Sequence, residues 1–326
     1  MVIFDEDKKY AEKLASYLNM SEGFSFIAGV CSSKEELKRF CEINSPILAL
    51  VAEKYYEKLL TILNCEVMIL SSVKSGVSKN GINIYKYQSA DRIKKSILKG
   101  IAMSGTVEYI AGRANDMKII AFFSPVKRNL CTSLSLSMGQ YLGKKHRTLY
   151  LNMEAFSGFK GLYDKDFDRN LGDLIYFLES EKSGFALTLA GMVERMDNVD
   201  IIAPFENPAD MISVKGERWI NLLEAIEKET DYEYLLLDLS EAVQGLFEIL
   251  KLADRVITPV DNEEIEICKL MQYEDCLMVS GCDDVIKKTK KCNIDSFKEV
   301  EDIHNLCKGE FGEYVKGVLR EVISNE

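Results

Sequence analysis

The chain has 326 residues, of which 47% are hydrophobic and 29% charged, so it has enough apolar material for two folded cores. Its formal net charge of −11 argues against a general nucleic-acid binder. No apolar run approaches the ~20 residues of a membrane-spanning helix, and the sequence does not open on a signal peptide. We therefore expect a cytoplasmic protein without a transmembrane segment.

The cysteines do not form a recognisable ligand pattern. There are nine of them, with two histidines, and no C-x-x-C motif occurs. We expect no metal site and cysteines that stay reduced. Cys276 and Cys282 could pair if both were exposed, but spacing alone does not establish a disulfide.

The first 103 residues are predicted to form a domain in which strands alternate with helices. Residues 2–4, 24–30, 46–52, 66–72 and 82–88 are apolar runs typical of strands. Helices are predicted between them, including residues 32–40, where a serine stands at the N-cap position. The run at 46–52 does not alternate, as expected for a parallel strand covered on both faces. The pattern predicts a doubly wound α/β sheet.

These residues resemble a response-regulator receiver domain. Asp5 and Glu6 match the acidic pair that binds magnesium in that family, Ser71 or Ser72 matches its hydroxyl switch residue, and Lys86 matches its lysine. Ala52, with Glu53 beside it, stands where the resemblance places the phospho-acceptor aspartate. We therefore predict a pseudo-receiver. In the competing interpretation, residues 5–7 only cap the following helix.

Residues 104–116 are small and polar and are predicted to be a linker to a second domain at residues 117–326. Strands are predicted at 118–123, 149–154, near 199–202, at 232–240 and at 254–260, with helices between them. The stretch 276–295 is interpreted as a short helix and a charged connector, with no further strand. A helix with one apolar stripe is predicted near the C-terminus, packed on this domain.

The phrases LYLNMEAFSGF, LLLDLSEAVQGLFEI and ADRVITPV resemble the MinD/ParA class of P-loop ATPases. Among these, the pilus-assembly and polar-localisation proteins called TadZ or CpaE match best, because they also carry an N-terminal receiver-like domain. The resemblance covers nearly the whole chain. It implies a second doubly wound parallel sheet and a phosphate-binding loop between residues 123 and 133.

That loop departs from the class pattern G-K-G-G-x-G-K-[ST]. Pro125 and Leu130 stand at glycine positions, Val126 replaces the signature lysine, and Cys131 replaces the catalytic lysine. Thr132, which the resemblance makes the magnesium-binding hydroxyl, is retained. The phosphate loop needs close backbone approach and positive charge, and both are reduced here.

Other residues remain candidates for a degenerate nucleotide site. Lys127 and Arg128 replace two glycines and could attract phosphate, or they could be a solvated basic tip. The resemblance implies that Asn152 and Glu154 stand where the class has two aspartates that orient water and metal, and that Asp238 is the Walker B aspartate. A strand-end aspartate can also simply cap a turn. Ser133 completes the set of predicted nucleotide-site residues.

The favoured interpretation is a non-catalytic localisation or scaffold protein that binds protein partners, with no cofactor and a homodimer that does not depend on ATP. The resemblance would place it in pilus assembly, recruited to a membrane-associated apparatus through those partners. One alternative is an ATP- and magnesium-binding switch with weak ATPase activity. Another is a phospho-signalling regulator, which would need the aspartate that Ala52 has displaced.

Overall fold

A computed structural model describes residues 1–21, 24, 26–73, 82–104, 117–126, 130–180, 184–260, 262–294, 297 and 303–323. The chain divides into two compact units. The first contains residues 1–111 and 181–191, and the second contains residues 112–180 and 192–326. Apart from Ser104, the predicted linker lies outside the described residues, so its boundaries stay a prediction.

The first unit is a parallel sheet with helices on its faces. Its strands are β1 (Val2–Phe4), β2 (Gly29–Cys31), β3 (Leu48–Ala52), β4 (Glu66–Ser71) and β5 (Ile82–Tyr85), in the order β2-β1-β3-β4-β5. Its helices are α1 (Lys8–Met20), α2 (Lys34–Asn44), α3 (Tyr56–Leu59) and α4 (Ala90–Ser104). All the pairings are parallel. The predicted doubly wound α/β class is confirmed for this unit.

Local sequence signals set the helix starts in the first unit. The Ser33 hydroxyl accepts a hydrogen bond from the Glu36 N–H, and the Glu36 carboxylate accepts one from the Ser33 N–H, which completes a capping box. Asp7 caps α1 by accepting from the Tyr10 N–H at 3.0 Å. The competing interpretation of the acidic run, in which it caps the next helix, is therefore confirmed for Asp7.

The second unit contains a larger sheet and most of the remaining helices. In chain order its elements are β6 (Lys118–Phe122), α5 (Leu130–Leu142), β7 (Thr148–Met153), α6 (Phe159–Tyr163), α7 (Leu171–Ser180), then after α8 (Phe185–Met192) β8 (Glu194–Met196), β9 (Val199–Ile202), α9 (Pro208–Ser213), α10 (Gly216–Glu229), β10 (Tyr234–Leu239), α11 (Leu246–Leu252), β11 (Arg255–Val260), α12 (Glu264–Val279), α13 (Asp283–Lys287), β12 (Thr289–Asn293) and α14 (Gly309–Ile323). The strand order is β12-β11-β6-β10-β7-β9-β8. The β8–β9 pairing is antiparallel and the others are parallel.

The predicted strand and helix on either side of the phosphate-loop frame are confirmed as β6 and α5, and residues 127–129 between them lie outside the described residues. The C-terminal stripe is confirmed too, because the apolar face of α14 packs in the same core as α5. The Ser137 hydroxyl donates to the Leu306 carbonyl at 3.0 Å, and the Tyr141 hydroxyl donates to the Cys307 carbonyl at 2.7 Å. These bonds fix α5 against the segment that leads into α14.

Two sequence predictions are wrong in detail. The stretch 276–295 contains a strand, β12, that pairs with β11 in parallel register, and its first part is the end of the long helix α12. We predicted no strand after residue 260, and this prediction is wrong. The sequence of β12 has no apolar run, because β12 is a polar edge strand in which Cys292 alone is fully buried. The predicted strand at 24–30 is shorter and is formed by Gly29–Cys31.

The sequence also gave no sign of where residues 181–191 belong. They lie in the first unit, and Leu187 of α8 is buried in the core formed by α1, α4 and the first sheet. The Cα of Gly191 lies close to the α4 backbone, where an added methyl would meet the Lys95 carbonyl at 3.6 Å.

Candidate functional site

The candidate nucleotide site of the second unit lies where β7 and β10 end and α5 begins. β10 lies between β6 and β7, and the register places Asp238 opposite Phe122 on one side and Asn152 on the other. Carboxyl ends of neighbouring parallel strands meet at one edge of a sheet, which is where open α/β sheets bind ligands. The structure thus brings three predicted residues together: Thr132, Asn152 and Asp238.

One oxygen of the Asp238 carboxyl accepts three hydrogen bonds. Its Oδ2 accepts from the Thr132 hydroxyl at 2.7 Å and from the Tyr150 hydroxyl at 2.8 Å. It also accepts from the Asn152 amide at 3.1 Å. The other oxygen, Oδ1, is buried and has no hydrogen-bond partner among the described residues. We call Asp238, Thr132, Tyr150 and Asn152 the Asp238 cluster.

Burial controls the protonation of the Asp238 cluster. Desolvation raises the pKa of Asp238 above its ordinary value, and the hydrogen bonds from Thr132 and Tyr150 act in the opposite direction. Desolvation, followed by the charge of Asp238, also raises the pKa of the Cys131 thiol and of the Tyr150 phenol well above their usual ranges. The thiol and the phenol are therefore neutral at physiological pH.

Position 131 offers no cation to this site. The Cys131 side chain is buried in the hydrophobic core together with Leu134, Tyr150 and Phe159. Val126 is buried as well, and its N–H donates to the Ser124 hydroxyl at 3.2 Å. The two positions at which the resemblance expects lysines therefore hold uncharged side chains in the protein interior.

The remaining predicted residues of this site lie around the Asp238 cluster. Ser133 is half-buried. Glu154 is half-buried, and its N–H donates to the Asn152 side-chain oxygen at 3.1 Å. Lys127 and Arg128 lie outside the described residues, so their roles stay predictions.

Tyr150 is the member of the cluster that the sequence analysis missed. It is fully buried, and its ring stacks on Phe159 with 5.9 Å between the ring centres. Since side chains alternate along a strand, Tyr150 lies on the same face of β7 as Asn152. The sequence carries no signal that separates Tyr150 from an ordinary core aromatic residue, because the partner of its hydroxyl is set by the tertiary structure.

The receiver-like pocket of the first unit brings Asp5 and Lys86 together. The Lys86 ammonium lies 2.6 Å from Asp5 Oδ2, and both side chains are largely buried, at 12% and 1% exposed. The same ammonium lies 4.4 Å from the centre of the Tyr10 ring, and the Tyr10 hydroxyl donates to the Lys86 carbonyl at 3.1 Å. Asp5 is therefore compensated by a lysine inside the protein.

The other pocket residues divide between two hydrogen-bonded groups. Glu6 pairs with Lys54 at the surface. Glu53 accepts a hydrogen bond from the Ser71 hydroxyl at 2.7 Å. Ser71 is buried whereas Ser72 is exposed, so of the two predicted alternatives Ser71 is the one that faces the pocket. Ala52 is buried at the end of β3 and supplies no carboxylate.

The chain is similar to several solved structures of known proteins. No family model and no curated protein matches the chain. Among solved structures it is similar to a ParA family ATPase from Chlorobium tepidum TLS, with 12% identity and a TM-score of 0.49, over 63% of this chain and 98% of the other. A plasmid partition protein from Borrelia burgdorferi gives 14% identity and a TM-score of 0.49, over 65% and 100%. The MinC:MinD cell division protein complex of Aquifex aeolicus gives 15% and 0.40, over 53% and 67%.

Within the part of the chain that the structure describes, no helix combines the length and the apolar character that crossing a bilayer requires.

The Asp5–Lys86 pair generates a stability prediction. Lys86→Met should destabilise the protein by about 3–5 kcal/mol, because it leaves the Asp5 charge buried without its partner. Lys54→Met breaks the exposed pair with Glu6 and should cost at most about 1 kcal/mol. Urea denaturation followed by far-UV circular dichroism measures both. Equal effects of the two variants would show that the buried pair has no special role.

The raised pKa of Asp238 generates a second prediction. Because the native state holds the Asp238 proton more tightly than the unfolded chain, the contribution of this carboxyl to stability is greatest below the ordinary aspartate pKa and falls as the pH rises through the raised value. Asp238→Asn is neutral throughout and should lose less stability over this pH window. Trp219, the one tryptophan of the chain, is buried in the second unit and reports unfolding by fluorescence.

The control is Asp168→Asn, which changes an exposed carboxyl in the same unit. Its stability should follow the wild-type pH dependence. If Asp238→Asn followed that curve as well, the carboxyl would not be the titrating group.

Proposed function

We propose that this protein is a non-catalytic scaffold or localisation factor whose second unit derives from a nucleotide-binding fold. The observation that carries the proposal is the burial of uncharged side chains, Val126 and Cys131, at both lysine positions of the phosphate-loop frame. Phosphate binding at a helix N-terminus uses backbone N–H groups together with positive charge. At these two positions the charge is missing.

The residues present do not fit a magnesium nucleotide well. Magnesium takes oxygen ligands, commonly one or two carboxylates together with substrate phosphates. One oxygen of Asp238 is occupied by three donors, which a metal ion would have to displace. Asn152 donates its amide to the same oxygen, so it reinforces the hydrogen-bonded state.

The missing charge also lowers the affinity that a phosphate site could reach. A hydrogen bond to a charged group contributes about 1.5–3 kcal/mol, and the lysine that Cys131 replaces would supply more than one of them to the phosphates. A loss of about 3–4 kcal/mol converts a micromolar site into one of roughly millimolar affinity. Leu130 in place of a glycine adds a further obstacle to close backbone approach.

The first unit supports a non-enzymatic role in the same way. Ala52 offers no oxygen nucleophile. A glutamate that stood in for the phospho-acceptor aspartate would move the reacting carboxylate by about a methylene, and a misplacement of ~1 Å can lower a reaction rate ~100-fold. The neighbouring Glu53 carboxylate already accepts a hydrogen bond from Ser71. We therefore propose a pseudo-receiver and place phospho-signalling behind the scaffold role.

The resemblance to TadZ and CpaE suggests the process in which such a scaffold would act. We propose a cytoplasmic protein that organises a pilus-assembly or polar apparatus through protein partners, with recruitment to the membrane-associated machinery by those partners. Any homodimer should be independent of ATP, because Val126 is buried and carries no charge to reach a partner's phosphates.

An ATP-binding switch is the second candidate, and one observation favours it. Thr132, on the first turn of α5, lies 2.7 Å from the Asp238 carboxyl at the end of β10, which is the placement that a magnesium-binding hydroxyl and a Walker B aspartate would have. In that case a metal ion would replace the hydrogen bond between the Thr132 hydroxyl and Asp238, and the site could then bind a nucleotide.

Calorimetric titration of the full chain with ATP and magnesium distinguishes the two candidates. The scaffold proposal expects no measurable heat of binding up to about 0.1 mM nucleotide, a concentration at which a roughly millimolar site stays almost empty. Thr132→Ala serves as the matched variant and should give the same trace. Micromolar binding that Thr132→Ala weakens at least about tenfold would overturn the scaffold proposal and establish the switch.

A further inference from the structure

The helix α12 is attached to the second unit along a narrow line. Tyr273 and Leu277 are its fully buried residues. The Tyr273 ring packs on Phe123 and Phe247, with ring centres 5.2 and 6.3 Å apart. Most other side chains of this 16-residue helix are exposed, so the helix presents a broad free surface.

That surface carries an apolar stripe. Ile267, Met271 and Met278 are 44%, 59% and 54% exposed, and Val279 at the end of the helix is 90% exposed. The first three are separated by four and seven positions, so they lie in one row along the helix. Methionine side chains are flexible and adapt to different apolar partners. The row spans about three turns of helix, roughly 16 Å.

Acidic side chains flank the stripe. Glu264 and Asp275 are both exposed, and each lies three or four positions from a residue of the row. Neither forms an ion pair with another described residue. The helix contains four carboxylates and one lysine, in a chain with a net charge of −11. The surface is therefore an apolar row in a negative field, and that field attracts positive charge.

We propose that this face of α12 binds a basic amphipathic helix of a partner protein. The partner would place apolar residues against Ile267, Met271 and Met278, and lysines or arginines against Glu264 and Asp275. Charge complementarity identifies this occupant. A second copy would bring two acidic faces together, and an anionic membrane would be repelled, since membrane-surface helices carry basic polar faces. The proposal does not depend on whether the second unit binds nucleotide.

The test uses a synthetic helical peptide of about 20 residues, with leucines at the a and d positions of the heptad and lysines at e and g. Fluorescence anisotropy at low and high salt measures its binding to the full chain. We expect saturable binding that weakens with salt. Met271→Glu should reduce the affinity at least about tenfold, and the same peptide with glutamates at e and g should not bind.

Matched variants separate this face from the general negative charge of the chain. Ile212→Glu changes an equally accessible apolar residue on α9 and should leave the affinity unchanged. Glu264→Lys with Asp275→Lys should weaken binding and flatten its salt dependence. Glu57→Lys with Glu227→Lys makes the same change in net charge elsewhere and should have a smaller effect.

Several results would overturn the proposal. They are the absence of binding at low salt, an unchanged affinity in Met271→Glu, or equal losses in the two lysine pairs. Sedimentation that shows self-association abolished by Met271→Glu would instead assign the face to a second copy. Flotation with phosphatidylglycerol vesicles that requires Met271 would assign it to a membrane.

Discussion

The hydrogen bonds that enclose the buried carboxyl of Asp238 are the interaction on which the second unit's candidate site depends. Burying a carboxyl without partners costs several kcal/mol, and here three donors from α5 and β7 converge on one oxygen. These bonds tie the first turn of α5 to the ends of two strands. The same bonds hold Thr132 and Asn152 in a closed arrangement, so a metal would have to displace donors that stabilise the fold.

Each unit buries a carboxyl at the end of a strand, and the two units compensate that carboxyl with different chemistry. In the first, Asp5 follows β1 and is compensated by the ammonium of Lys86 at 2.6 Å, so a full charge pair lies inside the protein. In the second, Asp238 is surrounded by neutral hydroxyl and amide donors, and burial raises its pKa. Each carboxyl sits at the sheet edge where doubly wound folds bind ligands, and each is occupied by internal partners. This shared property is the structural basis of the scaffold role that we propose.

Much of the fold was predictable because unbroken apolar runs mark buried parallel strands, and the capping box at Ser33 marks a helix start. The edge strand β12 was not, since its sequence TKKCN is polar and only its pairing with β11 makes it a strand. At the site, the resemblance to the MinD/ParA class implied that Thr132, Asn152 and Asp238 lie together, and their hydrogen bonds show that they do. Tyr150 could not be predicted, because an aromatic residue in a buried strand usually packs in the core and its hydroxyl partner is visible only in three dimensions.

Electron paramagnetic resonance of Mn²⁺ with ATP is the sharpest test of whether the Asp238 cluster stays closed to a metal nucleotide, because it detects such a complex at a protein site whatever the heat of binding. We predict that adding the full chain at about 0.1 mM leaves the Mn²⁺–ATP spectrum of free solution unchanged, since a roughly millimolar site would be little occupied. A broadened, protein-bound spectrum that disappears in Asp238→Asn would contradict it, because it would show that the Asp238 cluster opens to accept the metal nucleotide.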